Sequence, residues 1–157
     1  MKETGFILNG EKVIFKGSPD ERLLDILRNT FLLTSVKCGC REGGCGACAV
    51  LLNGKLVNSC LISVGSIEGD SITTLEGYEK TDRFKMLNKY FAAFAAVQCG
   101  FCTPGMIMAS EALLSTNPHP TKAEIRNALS GNICRCTGYN AIVNAVYAAS
   151  EEGDGLW

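Results

Sequence analysis

The sequence predicts an α+β chain, a small strand-and-helix unit followed by an all-helical one, and three observations carry that reading. Two Asn-Gly pairs, Asn9-Gly10 and Asn53-Gly54, each split a run of strand-forming residues in the first half. From Asp82 onward apolar residues recur at three and four, the period of helices buried along one face. Between Leu75 and Thr81 strand propensity gives way to the polar run "EGYEKTD", which puts the division at residues 1–76 and 77–157.

In chain order, "GFIL-NG-EKVIF" is a hairpin whose Asn9-Gly10 supplies positive-φ turn residues. "SPDERLLDILRNTF" then reads as a helix, with Ser18 as N-cap, Pro19 at its first position and Glu21 completing a capping box. Leu23, Leu24, Ile26 and Leu27 form its buried face. "AVLL-NG-KLV" is a second hairpin, and "DSITTLEG" closes the first half as a short β-rich segment. Four helices follow. "DRFKMLNKYFAAFAAV" is the first, with Phe84, Tyr90, Phe91 and Phe94 expected in the core. "TPGMIMASEALLS" takes Thr103 as N-cap and Pro104 as first residue, and "TKAEIRNALSG" carries the box Thr121…Glu124 and stops at Gly131 as C-cap. "NAIVNAVYAAS" aligns Ile142, Ala145, Val146 and Ala149 on one stripe, and the tail "EEGDGLW" reads as frayed.

The totals are those of a soluble globular chain. Its 157 residues are 46% hydrophobic and 20% charged, with a net charge of -1 and no Lys/Arg cluster to suggest nucleic acid or an anionic membrane. Folding at this length buries roughly two-thirds of the chain's surface, enough for a sizeable core. No apolar run is long enough to span a bilayer. The start "MKETGFILNG" lacks a signal-peptide h-region, so the expected location is cytoplasmic.

Nine cysteines are many for a cytosolic chain. A reducing compartment argues against a disulfide framework and the odd count against complete pairing, which leaves metal ligation. One set is Cys40-x4-Cys45-x2-Cys48 with Cys60 further on, the plant-type ferredoxin spacing for a [2Fe–2S] cluster. Gly43, Gly44 and Gly46 let the loop turn tightly and bring amide N–H groups near cluster sulfurs. The hairpin around Asn53-Gly54 can return Cys60 to that loop. A second set is Cys99-x2-Cys102 with Cys134-x-Cys136, each pair at a helix boundary, with Gly100, Gly131 and Gly138 for the turns. Helix N-termini nearby favour an anionic cluster. The competing assignment is a four-cysteine zinc site, which takes the same thiolates; Cys-x-Cys is atypical of zinc ribbons, and the first spacing is typical of ferredoxins. Two [2Fe–2S] clusters are the expectation. Cys38 is the ninth cysteine, expected as a small packed side chain.

These stretches, "GCREGGCGAC", "VQCGFCTPGMIM" and "GNICRCTGYNAIV", resemble the two-cluster iron–sulfur subunit of the molybdenum hydroxylases. That family includes xanthine dehydrogenase, aldehyde oxidoreductase, nicotinate dehydrogenase and carbon monoxide dehydrogenase, with 4-hydroxybenzoyl-CoA reductase as a relative. The resemblance implies a β-grasp plant-type ferredoxin domain followed by an all-α four-helix [2Fe–2S] domain. It implies that the helical cluster lies nearer a molybdopterin cofactor, and that the residues matching Gln98 and Cys136 contact its pterin. It also implies electron relay through both clusters towards FAD, with molybdopterin and FAD held by a large and a medium partner subunit. The assembly implied is a hetero-oligomer, with a dimer of heterotrimers among its forms. The reaction implied is oxidation of an N-heterocycle by an enzyme of xanthine dehydrogenase type, the alternatives being an aldehyde, nicotinate, carbon monoxide or 4-hydroxybenzoyl-CoA enzyme. A free ferredoxin-like carrier is the rival from another class, but it has no need of the second half.

Other candidates read as ordinary surface or core. His119, the only histidine, sits between prolines in "NPHPTK" and reads as an exposed turn residue. Arg41 and Glu42 read as a solvated loop tip, Arg135 lies between two ligands, and Phe101 is placed to cover the second cluster. No Ser/His/Asp set, acid pair or Cys/His pair is present for bond-making chemistry, so no catalytic residue is expected on this chain.

Overall fold

The structure, a computed structural model, describes residues 2–157. Strands β1 (Lys2–Leu8) and β2 (Glu11–Gly17) form the first hairpin, and β3 (Ala49–Leu52) and β4 (Lys55–Asn58) the second. Both turns take the conformation the Asn-Gly pairs predict, with φ of 52° at Asn9 and 49° at Asn53, each followed by a positive-φ glycine. Strand β5 (Ser71–Thr73) slots between the hairpins, parallel to β1 and antiparallel to β3. The sheet order is therefore β2-β1-β5-β3-β4, and helix α1 (Leu23–Asn29) lies across it, the β-grasp arrangement. Leu23, Leu24, Ile26 and Leu27 of α1 are all buried, against Phe6, Val50 and Ile72 among others. Each such side chain contributes about 1.5–3 kcal/mol by leaving water.

The second half is helical: α2 (Leu75–Tyr78), α3 (Asp82–Ala93), α4 (Thr103–Leu114), α5 (Lys122–Ala128) and α6 (Asn140–Glu152). Their core gathers Leu87, Phe91, Met106, Ile125 and the predicted α6 stripe of Ile142, Ala145, Val146 and Ala149. The predicted box at α5 is present: the Thr121 hydroxyl accepts from Glu124 N–H, and the Glu124 carboxylate accepts from Thr121 N–H.

Several sequence expectations are corrected. Helix α1 starts at Leu23, not Pro19, because tertiary bonds claim the preceding backbone. Pro19 and Glu21 carbonyls accept from Gly65 and Val64 N–H, and Arg22 bridges Ser63. Only half of the Ser18–Glu21 box forms: the Glu21 carboxylate accepts from Ser18 N–H, but Glu21 N–H donates to the Ser18 carbonyl and not its hydroxyl, which closes a turn instead of a helix. Helix α3 stops at Ala93, where Phe94 caps it and Ala95 turns to positive φ. Phe94 is consequently 41% exposed and outside the core. The N-cap of α4 is Cys102, not Thr103, and the C-cap of α5 is Leu129, not Gly131. The tail is not frayed. Trp157 donates its indole N–H to Glu111 at 2.7 Å, and Arg83 Nε donates to the Leu156 carbonyl at 2.6 Å.

Candidate metal centres

The first thiol set is assembled by hairpin register. Antiparallel pairing puts Ala49 opposite Asn58, so Cys48 just before β3 and Cys60 just after β4 meet at the same end. The Ser59 hydroxyl, donating to the Cys48 carbonyl at 2.8 Å, fixes that junction, and the Cys48 and Cys60 thiols come within hydrogen-bonding reach. Cys40 and Cys45 form the other pair, on the irregular loop leading into β3. That loop is tied down by Asn58, whose amide donates to the Gly43 carbonyl at 3.0 Å. It is tied again by Arg41, whose side chain pairs with Asp25 while its carbonyl accepts from Arg22. The loop-tip expectation for Arg41 thus gains a structural role.

Donors surround Cys40. Backbone N–H of Glu42 first, then the Cys45 thiol, pull its pKa down to about 7, with the Gly44 and Cys45 amides adding to the effect. Such donors stabilise a sulfur that carries charge, as every iron-bound thiolate does. Cys60 is shifted the other way, by burial and by the neighbouring Cys48 thiol.

The second set is assembled by helix ends. Cys99 and Cys102 occupy the turn from α3 to α4, and Cys134 and Cys136 the loop from α5 to α6. Cys99 Sγ and Cys136 Sγ are 3.6 Å apart and exposed. Cys134 is buried and Cys102 half-buried, and these two also lie within hydrogen-bonding reach. The set therefore has an outer and an inner pair. Burial and the Cys134 thiol push Cys102 up to about 12. Cys134 is also raised by burial, but the hydroxyl and N–H of Thr137 outweigh that and bring it down to about 7.

The two sets share a wall. A cavity of about 220 Å³ is lined by Cys45 from the first and by all four thiols of the second, with Phe101, Ile133 and Arg135 at its side. Ile133 N–H donates to the Cys45 carbonyl at 2.9 Å, one residue from Cys134. Nearby, the buried Asn132 amide donates to the Gly46 carbonyl at 3.1 Å. Phe101 is 48% exposed at the rim, and Gln98 is exposed beside Cys99.

The donor chemistry fits [2Fe–2S] clusters. Each set offers four thiols as two pairs, the division needed to give each of two irons two thiolates. A zinc ion takes four thiolates converging about 2.3 Å from one point, whereas each set here gathers its thiols as two separate pairs. Thr103 Oγ1, on the residue after Cys102, is buried with no protein hydrogen-bond partner.

Cys38 corrects another expectation: it is exposed and not packed. His119 is exposed as predicted, 3.3 Å from Asp154. Sequence reasoning missed Thr137 and Asn132. Thr137 had a findable signal, because a threonine three residues after a cysteine on a turn can bond back to it. Asn132 had none, since its partner lies 86 positions away. No helix among the described residues is long and apolar enough to cross a membrane.

Comparison with known proteins agrees with this geometry. Residues 6–85 match the 2Fe-2S iron-sulfur cluster binding domain, and residues 74–147 match the [2Fe-2S] binding domain. The nicotinate dehydrogenase small FeS subunit of Eubacterium barkeri is 51% identical over 92% of this chain and 92% of its own length. A probable xanthine dehydrogenase subunit of Bacillus subtilis is 40% identical over 94% of this chain and 85% of its own. A crystal structure of quinoline 2-oxidoreductase from Pseudomonas putida 86 superposes with a TM-score of 0.91 at 38% identity, covering 98% of this chain and 96% of that one.

Proposed function

Because the chain belongs to the family of small iron–sulfur subunits of the molybdenum hydroxylases, we propose that it passes single electrons from a molybdopterin centre to FAD, both on partner subunits. A [2Fe–2S] cluster, when bound, accepts and releases one electron at a time. The chain's own task is to hold, bury and tune two of them. Cys40, Cys45, Cys48 and Cys60 hold one, in a ferredoxin-like unit of residues 1–76. Cys99, Cys102, Cys134 and Cys136 hold the other, in a helical unit of residues 77–157. Gln98, exposed next to Cys99, and Cys136, exposed in the outer pair, are the residues this reading assigns to contact with the pterin. Nine unpaired cysteines suit a reducing compartment, the cytoplasm.

The observation that carries this reading is the pair-by-pair gathering of eight thiols in one chain, with Cys45 and Cys134 separated by one hydrogen bond and one residue. The reaction is oxidation of a nitrogen heterocycle. The three relatives carry the names of nicotinate, xanthine and quinoline enzymes, all nitrogen heterocycles. A large molybdopterin subunit and a medium FAD subunit complete the hetero-oligomer. Purification from the native source tests this. The expected result is co-purification with two larger chains and about four irons and four sulfides per copy. A lone chain carrying zinc contradicts it.

A further inference from the structure

The loop Cys134–Tyr139 closes a ring of hydrogen bonds onto one thiol. Cys134 N–H donates to the Tyr139 phenol oxygen at 3.0 Å, and Tyr139 N–H donates to the Thr137 hydroxyl oxygen at 3.2 Å. The Thr137 hydroxyl lies 3.1 Å from Cys134 Sγ, and Thr137 N–H adds a second donor at 3.4 Å. A hydroxyl has one proton. With its oxygen accepting from Tyr139, the proton's partner is the sulfur. Tyr139 makes this possible by adopting φ of 69°, a conformation uncommon for a bulky residue. Strain held in place at such a point marks a functional constraint.

We propose that Thr137 sets the reduction potential of the helical cluster: its hydroxyl, aimed by Tyr139, would hydrogen-bond the Cys134 thiolate when the cluster is bound. The inference rests on the proposed function, which assigns these thiols to a cluster. A one-electron reduction adds one negative charge to the cluster, and donors to a ligand sulfur stabilise the more negative state. Charge-assisted hydrogen bonds are the strong ones, so the effect grows when the electron arrives. Among the described residues the outer pair receives no side-chain hydroxyl, whereas the inner pair has that of Thr137. Cys40 of the first set accepts backbone N–H from Glu42 and no hydroxyl. Cys134 is also the residue next to Ile133, whose N–H joins the helical set to Cys45 of the first.

The test is an EPR-monitored dithionite titration of the purified complex carrying Thr137→Val or Thr137→Ser. In the valine variant the equilibrium constant for reducing the helical cluster is expected to fall about tenfold, a potential about 59 mV lower for a one-electron couple. Serine, which keeps the hydroxyl, retains the wild-type potential, and the ferredoxin-type cluster is unmoved in both. A fully loaded valine variant with an unchanged potential overturns the proposal. Should the valine variant not load, the wild-type complex decides. Brief transfer to D2O replaces a hydroxyl proton before buried amides, so a coupled proton must vanish from the ENDOR spectrum of the reduced helical cluster. If no rapidly exchanging proton is coupled, Thr137 is not a donor. Wild-type protein without iron would instead remove the functional reading itself, and the inference with it.

Discussion

Gly46→Ala is expected to separate the two halves of the molecule at the joint that sets the clusters side by side. Gly46 has φ of 69°, and a Cβ built on it would sit 2.5 Å from the Gly131 carbonyl oxygen and 2.6 Å from Asn132 Nδ2. Neither neighbour can yield cheaply. One is backbone, and the other is the buried amide that donates to Gly46's own carbonyl. Gly105 packs on that same carbonyl from the first turn of α4, so the loop cannot back away. The left-handed conformation costs an L-residue about 1–2 kcal/mol, and overpacking of this kind a further ~1–3 kcal/mol. Together they predict a loss of about 2–5 kcal/mol, or about 4–20 °C in Tm for a domain of this size. The assay is a thermal melt of iron-loaded protein, with the magnetic interaction between the two reduced clusters read by EPR. Gly131→Ala is the control: its Cβ meets nothing within 4 Å, and the cost should stay within about 0.5 kcal/mol. A Gly46→Ala protein that melts with the control and keeps its cluster–cluster interaction would refute the reasoning.

Glu111 is 5% exposed and accepts from Tyr78, Arg83, Ser115 and Trp157. Glu111→Ala strands these donors and should cost about 2–4 kcal/mol, discounted from the buried-pair range because Arg83 is partly solvated; chemical denaturation checks it. Glu76 is raised by burial, but hydrogen bonds from Ser35 and Thr74 outweigh that and hold its carboxyl below the ordinary 4.5. Its stabilisation is therefore complete above about pH 4.5 and lost as pH falls through the lower folded value. Acid unfolding of Glu76→Gln should be correspondingly less pH-dependent over that window, and parallel curves would count against the assignment. Cys38→Ser should leave iron content and turnover intact, because Cys38 is exposed and outside both thiol sets. Cys136→Ser should impair electron delivery from the molybdenum centre, and single-turnover reduction of the clusters separates the two.

What can be read from the sequence is local. The hairpins are legible because Asn9-Gly10 and Asn53-Gly54 fix turn geometry within four residues. The Thr121–Glu124 box is legible for the same reason. The start of α1 is not, although its capping signal is sound, because Gly65 and Val64 compete for the same carbonyls from more than forty positions away. Thr103 shows the opposite failure. Its place before Pro104 looks like a cap, but Cys102 takes the cap position and the hydroxyl is left unpartnered. The tail is illegible since charge and glycine in "EEGDGLW" say nothing of Glu111, the acceptor that holds Trp157.

The same distinction explains why the ligands are legible and their pairing is not. Spacing identifies which cysteines can reach a cluster, but the chain pairs them by two different devices. In the first set, strand register decides: a hairpin of fixed length returns Cys60 to Cys48, leaving Cys40 with Cys45 on the loop. In the second, neither pair is formed by sequence neighbours. Cys99 meets Cys136 and Cys102 meets Cys134, each joining one helix boundary to another. The helical set therefore depends on the packing of α4, α5 and α6, whereas the first depends on one hairpin and its loop. Burial then follows from that packing. The inner pair is shielded and the outer pair faces solvent, so the packing that closes the helical site leaves one side of it open.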